Sequence, residues 1–292
     1  MASSYQLKLT TARTGVYVLL AILTLACVVP FYLMVINSTR TNNEILAGLT
    51  FVPGQSLASN FETLTLGLLD PVSGERSPPM NVFLAFFNSF VVALSSTALT
   101  AYFATLTAYG FALYDFRGKK FLWAVILAVI MIPSSVSLIG FYKLVAALGM
   151  IDTYWPLILP GIASPFAVFF LRQYLATALP RSLIEAARID GAGEWKTFHR
   201  IGLTLAAPGI ATIAILSFLG NWNSYLGPLI VLSREQLFTM PLLIGSLNRN
   251  MYSRDWGTMY LAITLSVIPL LAMFAFFSKY LIEGIAAGGV KE

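Results

Sequence analysis

Charge punctuates this chain sparingly, and the gaps between charges are long. Six windows contain no Asp, Glu, Lys, Arg or His: 14–39, 77–114, 121–142, 153–171, 201–233 and 256–278. Each holds the ~20 apolar residues that an α-helix needs to cross roughly 30 Å of hydrocarbon. The pattern predicts an all-α integral membrane protein, one transmembrane domain over 1–292. Its six spans are expected over about 15–38, 83–112, 121–142, 153–172, 205–228 and 257–279. A further window, 236–248, is too short to cross and is expected as a re-entrant or surface segment. The first run has no small-residue cleavage site followed by a soluble domain, so it is expected to be a retained span. Between spans one and two, Pro53-Gly54, Asp70-Pro71 and Ser77-Pro78-Pro79 read as turns.

Composition agrees with the pattern. Hydrophobic residues make up 58% and charged residues 11%, against about 25% charged in soluble domains. The single cysteine, Cys27, and single histidine, His199, exclude internal disulfides and metal sites built on several such residues. The net charge of +5 follows membrane topology, so nucleic acid is not expected as a partner. With both termini in the cytoplasm, twelve Lys and Arg residues face inward and six face outward, as the positive-inside rule requires. Arg117-Gly118-Lys119-Lys120 lies inside and Asp152 outside.

The spans lack the ionisable residues that proton-coupled carriers place at mid-membrane depth. Sodium coupling through broken-helix carbonyls stays open as a secondary-carrier reading. An intramembrane enzyme would have almost no acid–base chemistry to use. No G-x-x-x-x-G-K-[ST] string occurs, so ATP-driven transport would need its ATPase on another chain. Asn88, Asn221 and Asn223, with Trp222, stand out among apolar neighbours. A buried amide either glues helices together or lines a translocation path, and both readings stand. Trp222 and Tyr225 could stack on a ring of a transported solute or anchor at the interface.

The cytoplasmic stretch between spans four and five carries the strongest signal. Pro180 stops the preceding helix, and Ser182-x-x-Glu185 has the form of a capping box, so a new helix is expected from Ser182. Leu183, Ala186, Ala187 and Asp190 fall on one shallow face. Gly191 is placed to cap the C-terminus. A second short helix is expected to present Trp195, Phe198 and Ile201, with Lys196, His199 and Arg200 solvated. Together these coupling helices, over about 182–202, make either a plug for a protein groove or an amphipathic linker on the inner leaflet.

Glu185-Ala186-Ala187, Asp190-Gly191-Ala192, Phe198, Ile201 and Leu203 resemble the EAA motif of ABC-importer permeases. Gly284-Ile285-Ala286-Ala287-Gly288-Gly289-Val290-Lys291 resembles the C-terminus of the smaller maltose-type sugar permease. Asn221-Trp222-Asn223, Gly227-Pro228-Leu229 and Met131-Ile132-Pro133 also look like carbohydrate permeases. Thr204 stands where the family usually has proline, which would soften the bend into span five; Pro208 is retained.

The resemblance implies the type I ABC-importer permease fold in a bacterial cytoplasmic (inner) membrane, with a coupling helix between spans four and five. It implies a second permease subunit, two copies of a cytosolic ATPase holding ATP and magnesium, and an extracytoplasmic solute-binding protein. A sugar or oligosaccharide would be the cargo, with a polyol or glycerol phosphate as the neighbouring reading. Glu185, Ala186, Ala187, Asp190 and Gly191 would couple to the ATPase, with Glu185 also capping its helix. The tail Gly288-Gly289-Val290-Lys291 either reaches the ATPases or is a disordered end. Arg249, Asn250, Tyr252 and Arg254 would meet the binding protein, or form an ordinary polar loop.

Overall fold

A computed structural model describes residues 2–67, 81–133, 137–247 and 255–289, with side chains from 13 to 277. Its helices are α1 (Ala2–Asn37), α2 (Asn42–Leu46), α3 (Leu57–Leu66), α4 (Val82–Leu113), α5 (Lys119–Ile130), α6 (Leu138–Ala147), α7 (Trp155–Ile158), α8 (Pro165–Ala178), α9 (Arg181–Ile189), α10 (Glu194–Thr197), α11 (Leu203–Trp222), α12 (Leu226–Val231), α13 (Met240–Leu247) and α14 (Trp256–Gly289).

Among the described residues five helical stretches are long and apolar enough to cross a membrane: Arg13–Asn37, Val82–Leu113, Trp155–Ala178, Glu194–Trp222 and Trp256–Phe277. They answer five of the six expected spans. The third window departs from expectation. Instead of one helix over 121–142, α5 ends at Ile130 and α6 begins at Leu138. Pro133 explains the break. It has no N–H to give to a helical carbonyl, and its ring pushes Ile132 out of the α region. At 12 residues, α5 is roughly 18 Å long, short of the hydrocarbon thickness. The fifth span also stops early, at Trp222, and α12 starts after the break at Asn223–Tyr225.

The chain divides into two compact units. One comprises residues 1–80 and 244–267. Here Thr41 and Glu44 form a reciprocal capping box at the start of α2. Buried Arg40 donates to Asn37 Oδ1 and the Gly48 carbonyl, both at 3.2 Å, and to the Glu44 carbonyl. Its guanidinium thereby takes up the Glu44 carbonyl, which the short helix leaves unpaired, together with acceptors on either side of that helix. Asn60 donates to the carbonyls of Ser38 (2.9 Å) and Arg40 (3.0 Å). A Cβ on Gly257 would lie 2.4 Å from the Arg40 carbonyl oxygen, so only glycine fits this approach.

The other unit comprises residues 81–243 and 268–292 and is organised on α4. Ala104, Ala108 and Tyr109 of α4 pack with Ala167, Val168, Leu171 and Leu175 of α8, and with Ala206 and Ile213 of α11. Small residues bring the helices close, as packing between apolar helices demands. A Cβ on Gly209 would come within 2.9 Å of the Tyr174 ring, and one on Gly161 within 2.7 Å of the Ser96 carbonyl. The short window 236–248 yields α13, whose Met240 N–H is received by Ser89 Oγ at 2.8 Å.

Candidate functional site

α9 buries one side chain within the second unit. Ile184 is its only buried residue and inserts into the α4–α8–α11 core. The opposite side is open: Leu183, Glu185, Ala186 and Asp190 are exposed, Ala187 is half-buried, and Ile189 is 86% exposed. The helix starts one residue earlier than expected. Pro180 is the N-cap, with φ −66° and ψ 126°. Proline's fixed φ and missing N–H suit that position, so Ser182 and Glu185 fall inside the helix and form no capping box. The capping role given to Glu185 is thereby corrected.

The C-terminus meets the expectation for Gly191. Asp190 is the C-cap and Gly191 has φ +77°. Ala192 N–H donates to the Ala187 carbonyl (2.9 Å) and Gly191 N–H to the Arg188 carbonyl (3.0 Å), the two bonds of a Schellman motif. Ala187 is thus tied to Ala192, and Arg188 to Gly191, across the turn.

The second coupling helix is not separate. From Glu194 the chain runs through a π-helical turn, Phe198–Gly202, into α11 as one 29-residue helix. Gly202 faces Tyr109, and a Cβ there would lie 2.8 Å from the ring. Thr204 Oγ1 donates to the Arg200 carbonyl at 2.9 Å. Phe198 is buried against Tyr109, ring centroids 5.2 Å apart, while Trp195 stays 64% exposed. His199, expected to be solvated, is half-buried and bonds Tyr102 Oη through Nε2 at 3.2 Å. Its Nδ1 lies 2.9 Å from the Trp195 carbonyl. A carbonyl only accepts, so Nδ1 carries the proton, Nε2 accepts, and Tyr102 donates.

Three residues that the motif did not single out tie this segment to the end of α4. Arg188 Nε donates to Glu194 Oε1 at 2.8 Å, and Tyr114 Oη donates to Glu194 Oε2. The Arg188 guanidinium also lies over the Tyr114 ring, 5.8 Å from its centroid. Burial, and then the hydrogen bond to Glu194, push the Tyr114 phenol above its ordinary pKa, so it remains a donor. An arginine in the last turn of one helix and a glutamate opening the next were the available signal. Their partner, Tyr114, lies 80 residues away in sequence.

The candidate path residues bond or pack within the chain. Asn88 is buried and donates to the carbonyls of Gln236 (2.9 Å) and Phe238 (3.0 Å). Asn221 donates to the Ser217 carbonyl (2.8 Å), and exposed Asn223 to the Leu219 carbonyl (2.9 Å). Trp222 is 1% exposed, stacked on Phe218 and edge-on to Phe90. A groove of about 640 Å³ is lined by Val91, Ser95, Ala98 and Leu99 of α4 with Tyr154, Trp155 and Ile158. Arg249, Asn250, Tyr252 and Arg254 lie outside the described residues, as do Val290 and Lys291 of the tail.

Residues 100–286 match the family model for the binding-protein-dependent transport system inner membrane component. The chain is 41% identical over 209 residues to the arabinooligosaccharides transport system permease AraQ of Bacillus subtilis, covering 72% of this chain and 74% of the relative. It is 32% identical over 276 residues to the lactose transport system permease LacG of Rhizobium radiobacter, covering 94% and 95%. A solved bacterial ABC transporter involved in import of the acidic polysaccharide alginate contains a chain that superposes with TM-score 0.76 at 20% identity, covering 91% of this chain and 95% of that one. The fold is that of a type I ABC-importer permease. The chain belongs to the family of binding-protein-dependent transport inner membrane components, and is a transport subunit rather than an enzyme.

Proposed function

We propose that this chain is one of two non-identical permease subunits of an importer for a neutral oligosaccharide, driven through α9 by two copies of a separate cytosolic ATPase. The observation that carries this reading is the open side of α9 and its turn. Leu183, Ile189 and Trp195 are left exposed on a segment joined to two long apolar helices. Apolar side chains in that number cost free energy in water, roughly 25 cal/mol per Å², and a fitted protein groove removes the cost. Glu185, Ala186, Ala187, Asp190 and Gly191 form the contact, the alanines giving close approach and the Schellman turn giving shape. ATP and magnesium belong to the ATPase. An extracytoplasmic solute-binding protein delivers the sugar, with Arg249, Asn250, Tyr252 and Arg254 as its proposed contacts. Both termini and α9 face the cytoplasm, following the inward excess of Lys and Arg.

Carbohydrate is favoured as cargo by the named substrates of AraQ and LacG. The six long windows carry no Asp, Glu, Lys, Arg or His, which suits a neutral sugar better than a phosphate ester.

The test is purification of the tagged chain in mild detergent, with co-purifying chains identified, followed by uptake of labelled arabinotriose or lactose into proteoliposomes. A P-loop ATPase and a second permease are expected, and the Glu185→Lys variant should lose both the ATPase and uptake. A lone chain that transports without ATP would overturn the reading, and normal uptake in Glu185→Lys would remove α9 as the coupling site.

A further inference from the structure

We infer that Glu194 is a positioning residue for transport: with Tyr114 and Arg188 it locks the turn after α9 onto the end of α4, so that displacement of α9 moves α4 directly. The inference rests on the coupling reading of α9 given above and adds the route by which its motion leaves the segment.

The turn between α9 and α10 is a weak joint on its own. It contains two glycines, Gly191 and Gly193, and a Cβ at either position would meet nothing within 4 Å. Glycine leaves the backbone many conformations, so a push on the exposed side of α9 would be absorbed by bending there. The Glu194 carboxylate spans that joint. One oxygen takes the Arg188 guanidinium from before the turn, and the other takes the Tyr114 hydroxyl from the C-cap of α4. Three elements are thereby held by one side chain. A second tie follows a turn further on, where Tyr102 of α4 donates to His199, itself anchored to the Trp195 carbonyl. α10 is thus fixed to α4 at Glu194, and the π turn that follows, Phe198–Gly202, is fixed to it again at His199. Single π turns inside helices recur at functional sites.

Stability does not account for the lock. Arg188 and Glu194 are 45% and 53% exposed, and ion pairs so open to solvent contribute little to folding. What such a set of bonds does supply is a fixed angle, since each oxygen of one carboxylate is committed to a different element.

The experiment uses the full transporter in proteoliposomes, measuring labelled arabinotriose taken up per ATP hydrolysed. Tyr114→Phe removes one hydroxyl, and Glu194→Gln removes the charge at constant size. Both are expected to retain the ATPase and to hydrolyse ATP within about twofold of the unaltered complex, while uptake per ATP falls about threefold to tenfold. The double variant should be no worse than Glu194→Gln alone. If Glu194→Gln assembles poorly, Tyr114→Phe decides by itself. Unchanged uptake per ATP in Tyr114→Phe overturns the inference, and so does loss of the ATPase from that variant, which would make the lock part of assembly. Absence of ATP-dependent uptake in the unaltered complex removes the importer reading and this inference together, a result distinct from either.

Discussion

The two ends of α4 treat the same kinds of side chain in opposite ways. Near Asn88, whose amide is satisfied within the chain, a tryptophan is buried in an aromatic cluster, although Phe83 and Phe87 of the same helix end are 71% and 64% exposed. Trp222 is 1% exposed, with Phe218 stacked at 5.7 Å, Phe90 at 4.8 Å and Phe86 at 6.0 Å. Near Tyr114 the polar groups pair with one another while Ile189 and Trp195 are left facing out. Trp222 is covered by packing within the chain, whereas Trp195 and Ile189 stay exposed beside polar groups that are committed to one another. The lesson is that a tryptophan beside a span reports nothing by its type. Whether it packs or docks depends on which neighbours the helices bring to it.

The contrast breaks or holds most visibly on paired substitutions. Trp222→Ala should remove about 3–5 kcal/mol of stability, since it empties a fully buried aromatic site. Ile189→Ser should change the stability of the isolated subunit by no more than about 0.5 kcal/mol, yet weaken ATPase retention on a column. Thermal unfolding in detergent and co-purification read the two effects separately. Equal destabilisation by both variants would erase the distinction between the two ends.

Asn88→Leu sharpens it on the polar side. The carbonyls of Gln236 and Phe238 would lose their donor, at a cost of about 1–3 kcal/mol. The expected result is a lower unfolding temperature with the preference between arabinotriose and lactose unchanged. A changed preference at unaltered stability would return Asn88 to the translocation path.

What could be read from sequence divides along the same physical line. Charge-free windows report how far a segment can avoid water, and they located the end of α1, both ends of α4 and the starts of α11 and α14 to within a few residues. They count side chains and ignore backbone hydrogen bonds, so window 121–142 hid the interruption at Pro133. Gly191 was legible because positive φ after a helix is a local demand. The Ser182–Glu185 pair misled because a better local solution, Pro180, stood two residues upstream. Glu194 with Tyr114, and Trp222 with Phe90, depend on pairings across 80 or more residues, which no local pattern encodes.

The smallest expected effect concerns a loop that belongs with the self-satisfied end in kind. Asp152 adopts φ +57°, and its Oδ1 accepts the N–H groups of Ser233 (2.6 Å) and Arg234 (3.1 Å). Those two backbone donors, and more weakly the Arg234 charge, hold its carboxyl below the ordinary value of 3.8. Because the folded pKa lies below the unfolded one, the carboxylate favours folding at every pH above the unfolded value. That contribution fades as pH falls through the folded value. Asn tolerates the same backbone region and keeps an accepting oxygen, so Asp152→Asn isolates the charge. The variant should unfold at slightly lower temperature than the parent at neutral pH, and the gap should close below about pH 4. Exposure to solvent keeps the gap small. A gap that persisted unchanged into the acid range would mean that the loop is held by geometry common to both side chains, and that the carboxylate's charge contributes nothing to it.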